Sequence, residues 1–135
     1  MANDCIPLFD EADQLTVQVT AAVVGKTFAR VSAEPASGPA LNTLTDGANI
    51  KVATCAAAGR ALGVAAYDQA TVGGKCKLFC QGIVPVTTGT GGLAAGQEVE
   101  SDAAGKAVAY AAGIKLGVCV IGATVGNDAY IKLNV

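Results

Sequence analysis

Hydrophobic and polar residues alternate over short stretches along most of the chain, which is the pattern of half-buried β-strands. The clearest stretch is QLTVQVT at residues 14–20, where Leu15, Val17 and Val19 fall on one side. Alanine-rich pieces would suit helices by propensity, but glycine interrupts each of them within a few residues. The pattern therefore predicts an all-β fold of short strands. Further predicted strands are 48–55, 76–80, 97–101, 106–110 and 129–135, and 22–31 is predicted as a strand pair or one strand bent at Gly25.

One sequence unit occurs twice. Leu62-Gly63-Val64 precedes Ala70-Thr71-Val72-Gly73, and about 53 residues later Leu116-Gly117-Val118 precedes Ala123-Thr124-Val125-Gly126. Each copy consists of an apolar strand, a turn closed by glycine and a second alternating strand, which is typical of a β-hairpin. Two copies are too few for a solenoid, so the repeat predicts a small β-barrel or sandwich with internal pseudo-symmetry.

The point at which the strand pattern begins suggests the domain organisation. Residues 1–13 show no period, mix proline with acids and contain one apolar cluster, Ile6, Pro7, Leu8 and Phe9. We interpret 1–13 as an N-terminal arm and 14–135 as a single β-rich domain. Within that domain, the proline-, glycine- and serine-rich segment 32–47 is predicted to be a loop.

Composition narrows the class of protein. The chain has 135 residues, and its hydrophobic fraction of 52% includes many alanines, only three Phe and three Tyr, and no Trp. A core so short of bulky side chains is often completed by other subunits, so we expect an oligomer. The net charge is −2 without any run of Lys or Arg, which argues against nucleic-acid binding. No apolar run reaches the length of a membrane span, and the acidic N-terminus lacks the pattern of a signal peptide. We expect synthesis in the cytoplasm.

Three acids, Glu98, Glu100 and Asp102, form the most prominent cluster of ionisable residues. In a strand over 97–101, Glu98 and Glu100 share one face while Val99 points to the other. Asp102 and Gly105 then have the positions that a tight turn prefers. Catalytic carboxylates would need a pocket that separates their pKa values, and nothing nearby in the sequence supplies one. We therefore expect a solvated strand face followed by a turn.

Motifs for phosphate binding and nucleophilic catalysis are incomplete. Gly25-Lys26-Thr27 matches the end of a P-loop, but Thr20 stands where the first glycine is required. GTGGLA at 89–94 resembles a dinucleotide-binding turn but lacks the following helix. Without histidine, a Ser-His or Cys-His pair cannot form. We expect no enzymatic activity, no catalytic residue and no cofactor.

The five cysteines, at positions 5, 55, 76, 80 and 119, are odd in number and irregular in spacing. In a strand, Cys76 and Cys80 would lie about 13 Å apart, too far for a disulfide. A zinc site would need ligands that the sequence does not place nearby. Buried free thiols are the expected state, without disulfides and without bound metal.

The order of segments resembles a family of small tailed-phage head proteins, the capsid decoration (cement) proteins of the DUF2190 type. The resemblance covers roughly residues 14–135, and its most specific elements are GIVPV and AAGQEVESDAAGKA. The chain departs from the family pattern in its five cysteines and acidic arm. The segments that carry the resemblance are ALGVA (61–65), ATVGGKCKLFCQGIVPV (70–86), GGLAAGQEVESDAAGKAVAY (91–110) and KLGVCVIGATVGNDAYIKLNV (115–135).

The resemblance implies a non-enzymatic β-rich protein that binds the major capsid protein on the outer surface of an icosahedral shell and stabilises it. It further implies a homotrimer over local three-fold positions, located on the virion. From the charge and the apolar runs described above, we expect no nucleic-acid and no membrane partner. A tail or fibre component is the alternative. From the arm, Ile6, Pro7, Leu8 and Phe9 are the expected contacts with the shell or a neighbouring subunit.

Overall fold

The computed structural model describes residues 4–5, 14–34 and 50–135 of the chain. Its regular structure consists of β-strands of three to six residues, which confirms the predicted all-β fold. The strands are β1 (Gln14–Val19), β2 (Phe28–Ala33), β3 (Lys51–Thr54), β4 (Gly63–Ala65), β5 (Lys75–Phe79), β6 (Ile83–Thr87), β7 (Glu98–Ser101), β8 (Ala107–Ala109), β9 (Gly117–Ile121) and β10 (Asp128–Leu133).

The first five strands close into a barrel in the order β1-β3-β2-β4-β5. β1 is parallel to β3, and closure is completed where β1 pairs with β5 in antiparallel fashion from Gln14↔Phe79 to Gln18↔Lys75. A five-stranded barrel has a narrow interior that only small side chains can fill. The interior residues meet that requirement: Val17, Val19, Val23, Ala29, Val52, Ala65, Cys76 and Leu78.

The last five strands form a second sheet in the order β6-β10-β9-β7-β8. A parallel bridge between Thr88 and Ala107 joins the ends of its two edge strands, so this sheet also curls towards closure. Pro85, which has no backbone N–H to donate, lies in the edge strand β6, where a sheet tolerates proline.

The barrel and the second sheet have the same connectivity when β1 to β5 are matched with β6 to β10. The first and third strands are parallel neighbours in the barrel, and in the second sheet they approach each other at the parallel bridge from Thr88, just after β6, to Ala107 of β8. The other adjacent strands are antiparallel in both. The sequence repeat therefore corresponds to two structural units. Its Leu-Gly-Val segments enter β4 and β9, and its Ala-Thr-Val-Gly segments form the turns before β5 and β10.

Glycines show why the repeated segments are alike. Gly73 and Gly126 occupy the same turn position with φ of 84° and 81°, a left-handed conformation that other residues adopt only with strain. Gly63 and Gly117 are the first residues of β4 and β9. A Cβ atom at Gly63 would lie 2.5 Å from the carbonyl oxygen of Phe79, and one at Gly117 would collide with that of Lys132. The repeat thus preserves one turn and one close strand contact in both units.

The region predicted as a strand pair or a bent strand over 22–31 is divided by a turn. Val23 forms an isolated bridge with Gln69, the chain then turns at Gly25 and Lys26, and β2 begins only at Phe28. Lys26 has a φ of 61°, so this turn uses a non-glycine residue in the left-handed region. Most of the predicted loop 32–47 lies outside the described residues.

A core between the two units joins them. Phe28, Val64 and Phe79 belong to the barrel strands but are buried in the same cluster as Val84 and Val86 of the second sheet. Backbone hydrogen bonds reinforce this contact, because Phe28 donates to the Gly105 carbonyl at 2.7 Å and Thr87 donates to that of Lys26 at 2.9 Å.

Candidate interaction surfaces

The predicted contact residues Ile6, Pro7, Leu8 and Phe9 lie outside the described residues. From the same segment, Cys5 is described and is buried in the core. Its N–H donates to the carbonyl of Ala66 at 2.5 Å, and its Sγ donates to that of Pro85 at 3.3 Å. Because Ala66 follows β4 and Pro85 lies in β6, Cys5 links the barrel to the second sheet.

All five cysteines are free thiols, and four are buried as predicted, whereas Cys80 is half-buried. Burial raises the pKa of Cys5 to about 12, because a thiolate there would lose its hydration. Desolvation also raises the pKa values of Cys55, Cys76 and Cys119. These thiols are protonated at neutral pH and behave as small apolar core groups.

We expect the free energy of unfolding to fall as the pH rises from 9.0, the ordinary thiol pKa, towards the folded-state value of about 12 at Cys5. Below pH 9.0 both states keep the proton, so the stabilisation is complete. Above it the unfolded chain releases the proton while the folded chain retains it. Urea unfolding over this pH range measures the loss, and Cys5→Ala should show a shallower pH dependence. Equal slopes in the two proteins would contradict this origin.

The acids of β7 have different environments. The expected solvated position is correct for Glu98, which is exposed and accepts a hydrogen bond from Lys115 at 2.9 Å. This bond raises the pKa of the Lys115 ammonium, which also lies 5.0 Å from the ring centre of Tyr110.

The solvated position is wrong for Glu100, whose exposed fraction is 9%. The segment between β8 and β9 covers the Glu100 side chain, and it enters the pairing of β9 with β7 where the Leu116 N–H donates to the Val99 carbonyl at 2.8 Å. Glu100 Oε2 accepts backbone hydrogen bonds from Gly113 at 2.8 Å and Ala111 at 3.3 Å. The Glu100 carboxylate therefore holds the segment after β8 in place through the backbone N–H groups of that segment.

The predicted turn after β7 is confirmed. Asp102 Oδ1 accepts hydrogen bonds from the N–H groups of Ala104 at 2.8 Å and Lys106 at 2.9 Å. Gly105 closes the turn with a φ of 76° and donates to the Asp102 carbonyl at 3.1 Å. All the hydrogen bonds found at this carboxylate are thus local to the turn.

The two glycine-containing motifs, Gly25-Lys26-Thr27 and GTGGLA at 89–94, both lie in turns that connect parts of the fold. Lys26 Nζ lies 2.7 Å from Asp128 Oδ2, and the lysine side chain is only 13% exposed. The pair joins the turn before β2 to the first residue of β10. In GTGGLA, Leu93 bridges Ala123, while Gly91 and Gly92 have positive φ and line a shallow groove with Gln97.

The part of the chain that the structure describes contains neither a candidate metal cluster nor a helix of membrane-spanning length. Within residues 4–5, 14–34 and 50–135, His, Cys, Asp and Glu nowhere form a group of three or more that could hold a metal ion. Over the same residues, no helix is long and apolar enough to cross a membrane.

The outer face of the barrel carries four cations, Arg30, Lys51, Lys75 and Lys77, here called the basic face. Each is followed or preceded by a residue that points into the barrel interior, so the cations point outward. In the strand register, Gln18 of β1 pairs with Lys51 of β3 and with Lys75 of β5. The three side chains therefore lie beside one another across neighbouring strands.

The outer face of the second sheet carries an apolar strip formed by Val118, Val120, Ile121 and Tyr130. Cys119 points inward, whereas Val118, Val120 and Ile121 are 40%, 37% and 48% exposed. Tyr130 pairs with Ile121 across β10 and β9, where a bulge shifts the register. Large apolar side chains are scarce in this sequence, so their grouping on the outer face of two neighbouring strands, β9 and β10, marks a surface suited to contact.

The sequence analysis did not predict the basic face or the apolar strip, although each leaves an alternating pattern in the sequence. Lys75 and Lys77 are two residues apart around the buried Cys76, and Val118 and Val120 flank Cys119 in the same way. Alternation alone does not show which face is outside when both faces contain apolar residues. The pairing of Lys51 with Gln18 also joins segments that are distant in the chain.

The fold resembles that of a phage structural protein. The chain superimposes on the solved structure titled "The crystal structure of head fiber gp8.5 N base in bacteriophage phi29" with a TM-score of 0.70. The match covers 90% of this chain and 93% of that chain, at 15% sequence identity. At this identity, the likeness establishes the fold.

Comparisons at the level of sequence gave no relatives. No protein-family model matches the chain, and no curated protein matches it. Membership of the DUF2190 type therefore stays a prediction.

Proposed function

We propose that the chain is a non-enzymatic structural protein of a phage virion and is associated with the head. The observation that carries this proposal is the fold match over nearly the whole length of both chains to a protein described as the base of a phi29 head fibre. The resemblance of segments 61–65, 70–86, 91–110 and 115–135 to head decoration proteins points to the same class independently of the fold.

Within this class, decoration is the specific function that we propose. The protein binds the major capsid protein on the outer surface of the shell and stabilises the junctions between shell subunits. Two outward surfaces of different chemistry, the basic face and the apolar strip, suit a protein that contacts different partners at once. Repeated weak contacts over a symmetric shell add up to strong attachment without any catalytic group.

We further propose that the protein assembles as a homotrimer through the apolar strip. Val118 is flanked in the strand register by Glu98 on β7 and Lys132 on β10, and Glu98 is paired with Lys115. An apolar centre with a rim of both charges is the usual arrangement of a protein interface. The mixed rim has little net charge, which allows copies of the same chain to meet around a three-fold axis.

A fibre component is the second candidate, because the matched structure is described as the base of a head fibre. A fibre base would bind the head in a similar way but would also hold an extended partner. The two functions differ in particle shape, since decoration leaves a closed knob on the shell whereas a fibre projects from it. Negative-stain images of heads with bound protein distinguish the two shapes.

Co-sedimentation with heads tests the proposal. Purified protein is mixed with expanded, undecorated heads of the matching phage and, in parallel, with unexpanded precursors. We expect saturable binding to expanded heads at a small whole number of copies per local symmetry site. Absence of binding to both kinds of particle would overturn decoration and favour a tail role.

The predicted arm contact is tested in the same assay. Deleting residues 1–13 would also remove Cys5 from the core, so substitution is the better design. We expect the double substitution Leu8→Ser and Phe9→Ser, which keeps Cys5, to weaken binding to heads. Unchanged binding would exclude the apolar residues of the arm as the contact.

A further inference from the structure

We propose that the basic face of the barrel docks onto an acidic protein surface of the head shell. This inference rests on the proposed function and adds to it the side of the molecule that faces the shell and the chemistry of the partner. The basic face consists of Arg30, Lys51, Lys75 and Lys77. Four observations support it: the charge of the strands, their register, the position of the face and the pairing of three acids of the second sheet.

The charge of the two units differs although their folds correspond. The strands of the barrel contain the four cations of the basic face and no acidic residue. At matching positions of the second sheet, Asp128 opens β10 where Lys75 opens β5, and Glu100 is third in β7 where Arg30 is third in β2. Because the same connectivity forms with opposite charges, the positive charge of the barrel is not a requirement of the fold.

The register concentrates this charge on one surface. Lys51 and Lys75 flank Gln18, and Lys77 lies opposite Thr16, the next outward residue of β1. Neighbouring strands are about 4.8 Å apart, so β3, β1 and β5 present their cations within about 10 Å. The side chains between the lysines are polar, which favours a contact through ion pairs and hydrogen bonds and predicts a strong dependence on salt.

Within the part of the chain that the structure describes, the basic face lies away from the second sheet. The outward residues that are buried against the second sheet are Phe28, Val64 and Phe79, which lie on β2, β4 and on the last position of β5. The basic face is centred on β1, which lies between β3 and β5 on the part of the barrel not covered by this core. A flat shell surface can therefore approach it without displacing the second sheet.

A second copy of the chain is a poor source of the acidic surface. In the second sheet, Asp128 is paired with Lys26, Glu98 with Lys115, and Glu100 with backbone N–H groups. Nucleic acid is also disfavoured, because the net charge of the chain is −2 and no aromatic side chain is exposed among the four cations. An acidic protein surface outside this chain fits the observations best.

The test measures binding to expanded heads by the full chain at two salt concentrations. The variant Lys51→Glu/Lys75→Glu reverses two charges of the basic face, and Arg60→Glu/Lys106→Glu makes the same change in net charge at residues outside both the basic face and the apolar strip. We expect the first variant to bind at least tenfold more weakly than wild type, whose own binding weakens as salt rises. The control variant should stay within about twofold. Thermal unfolding confirms that both variants are folded.

Several outcomes would overturn the inference. Retained binding by Lys51→Glu/Lys75→Glu, or an equal loss in the control, would show that the basic face is not the contact with the shell. Either result would leave the proposed function intact. If double-stranded DNA displaces the protein from heads, nucleic acid is the ligand of the basic face. If Asp10→Asn/Glu11→Gln/Asp13→Asn changes binding by the same factor and the combined variant adds nothing, the chain's own acids occupy the face. Failure of wild type to bind heads would defeat the proposed function together with the inference.

Discussion

Replacing Phe28 with alanine is expected to lower the free energy of unfolding by about 3–5 kcal/mol, the largest effect of any single truncation of this chain. Phe28 is completely buried and is one of only three phenylalanines in the sequence. It lies in the core that joins the barrel to the second sheet, where it shares a cluster with Phe79 and Val84. Its loss leaves a cavity that small neighbouring side chains cannot refill, so the two units lose their main contact.

Urea denaturation followed by circular dichroism measures this effect. The matched control is Val31→Ala, a truncation in the same strand at a side chain that is 54% exposed. It should change the free energy of unfolding by only about 0.5 kcal/mol. If Phe28→Ala is as mild as the control, the two units are held together by contacts other than this core. A transition that splits into two steps would show that the units can unfold separately.

The strands could be predicted because their information is local. In β1, Val17 and Val19 alternate with polar residues, and the structure buries both valines. The repeat was visible because Gly73 and Gly126 meet the same backbone requirement, which allows no other residue without strain. Such features depend on neighbours in the chain, which the sequence displays directly.

The positions that the sequence did not reveal depend on distant parts of the chain. Glu100 follows the alternation of an exposed residue, but the segment after β8 covers it and supplies two N–H donors. Cys5 belongs to a stretch without any period, yet it bonds to Ala66 and Pro85. Neither pairing has a signature in the sequence, because the first forms only when the segment after β8 has folded back and the second only when the two units have packed together.

The duplicated fold explains why the basic face and the apolar strip can differ in chemistry. Two units with the same connectivity need glycine at the same turn and the same close strand contact, and apolar residues inside, whereas their outward residues are free to differ. One unit uses that freedom for cations such as Lys51 and Lys75, and the other uses it for Val118 and Ile121. The function that we propose therefore resides in the outward residues, where the two units differ most.

The proposed homotrimer leads to the second large prediction. The double substitution Val118→Lys and Ile121→Lys is expected to convert a trimer into a monomer of 13.3 kDa. Both side chains are already 40% or more exposed in the single chain, so charging them costs the monomer little. In the trimer the same positions would bring six ammonium groups together around one axis without partners. Desolvation and like-charge repulsion would then exceed the apolar gain of the interface.

Light scattering coupled to gel filtration measures the mass directly. The control Val72→Lys adds a charge at a side chain that is 68% exposed but lies in the turn before β5, away from the strip. It should leave the trimer intact, and the pair Val118→Lys/Ile121→Lys should unfold at nearly the wild-type temperature while having the mass of one chain. A wild-type protein that is already monomeric, or a charged variant that still has three chains, would contradict a homotrimer formed through the apolar strip. Because a trimer contacts a shell at three places, the monomeric variant should also bind heads far more weakly, even though its basic face is unchanged.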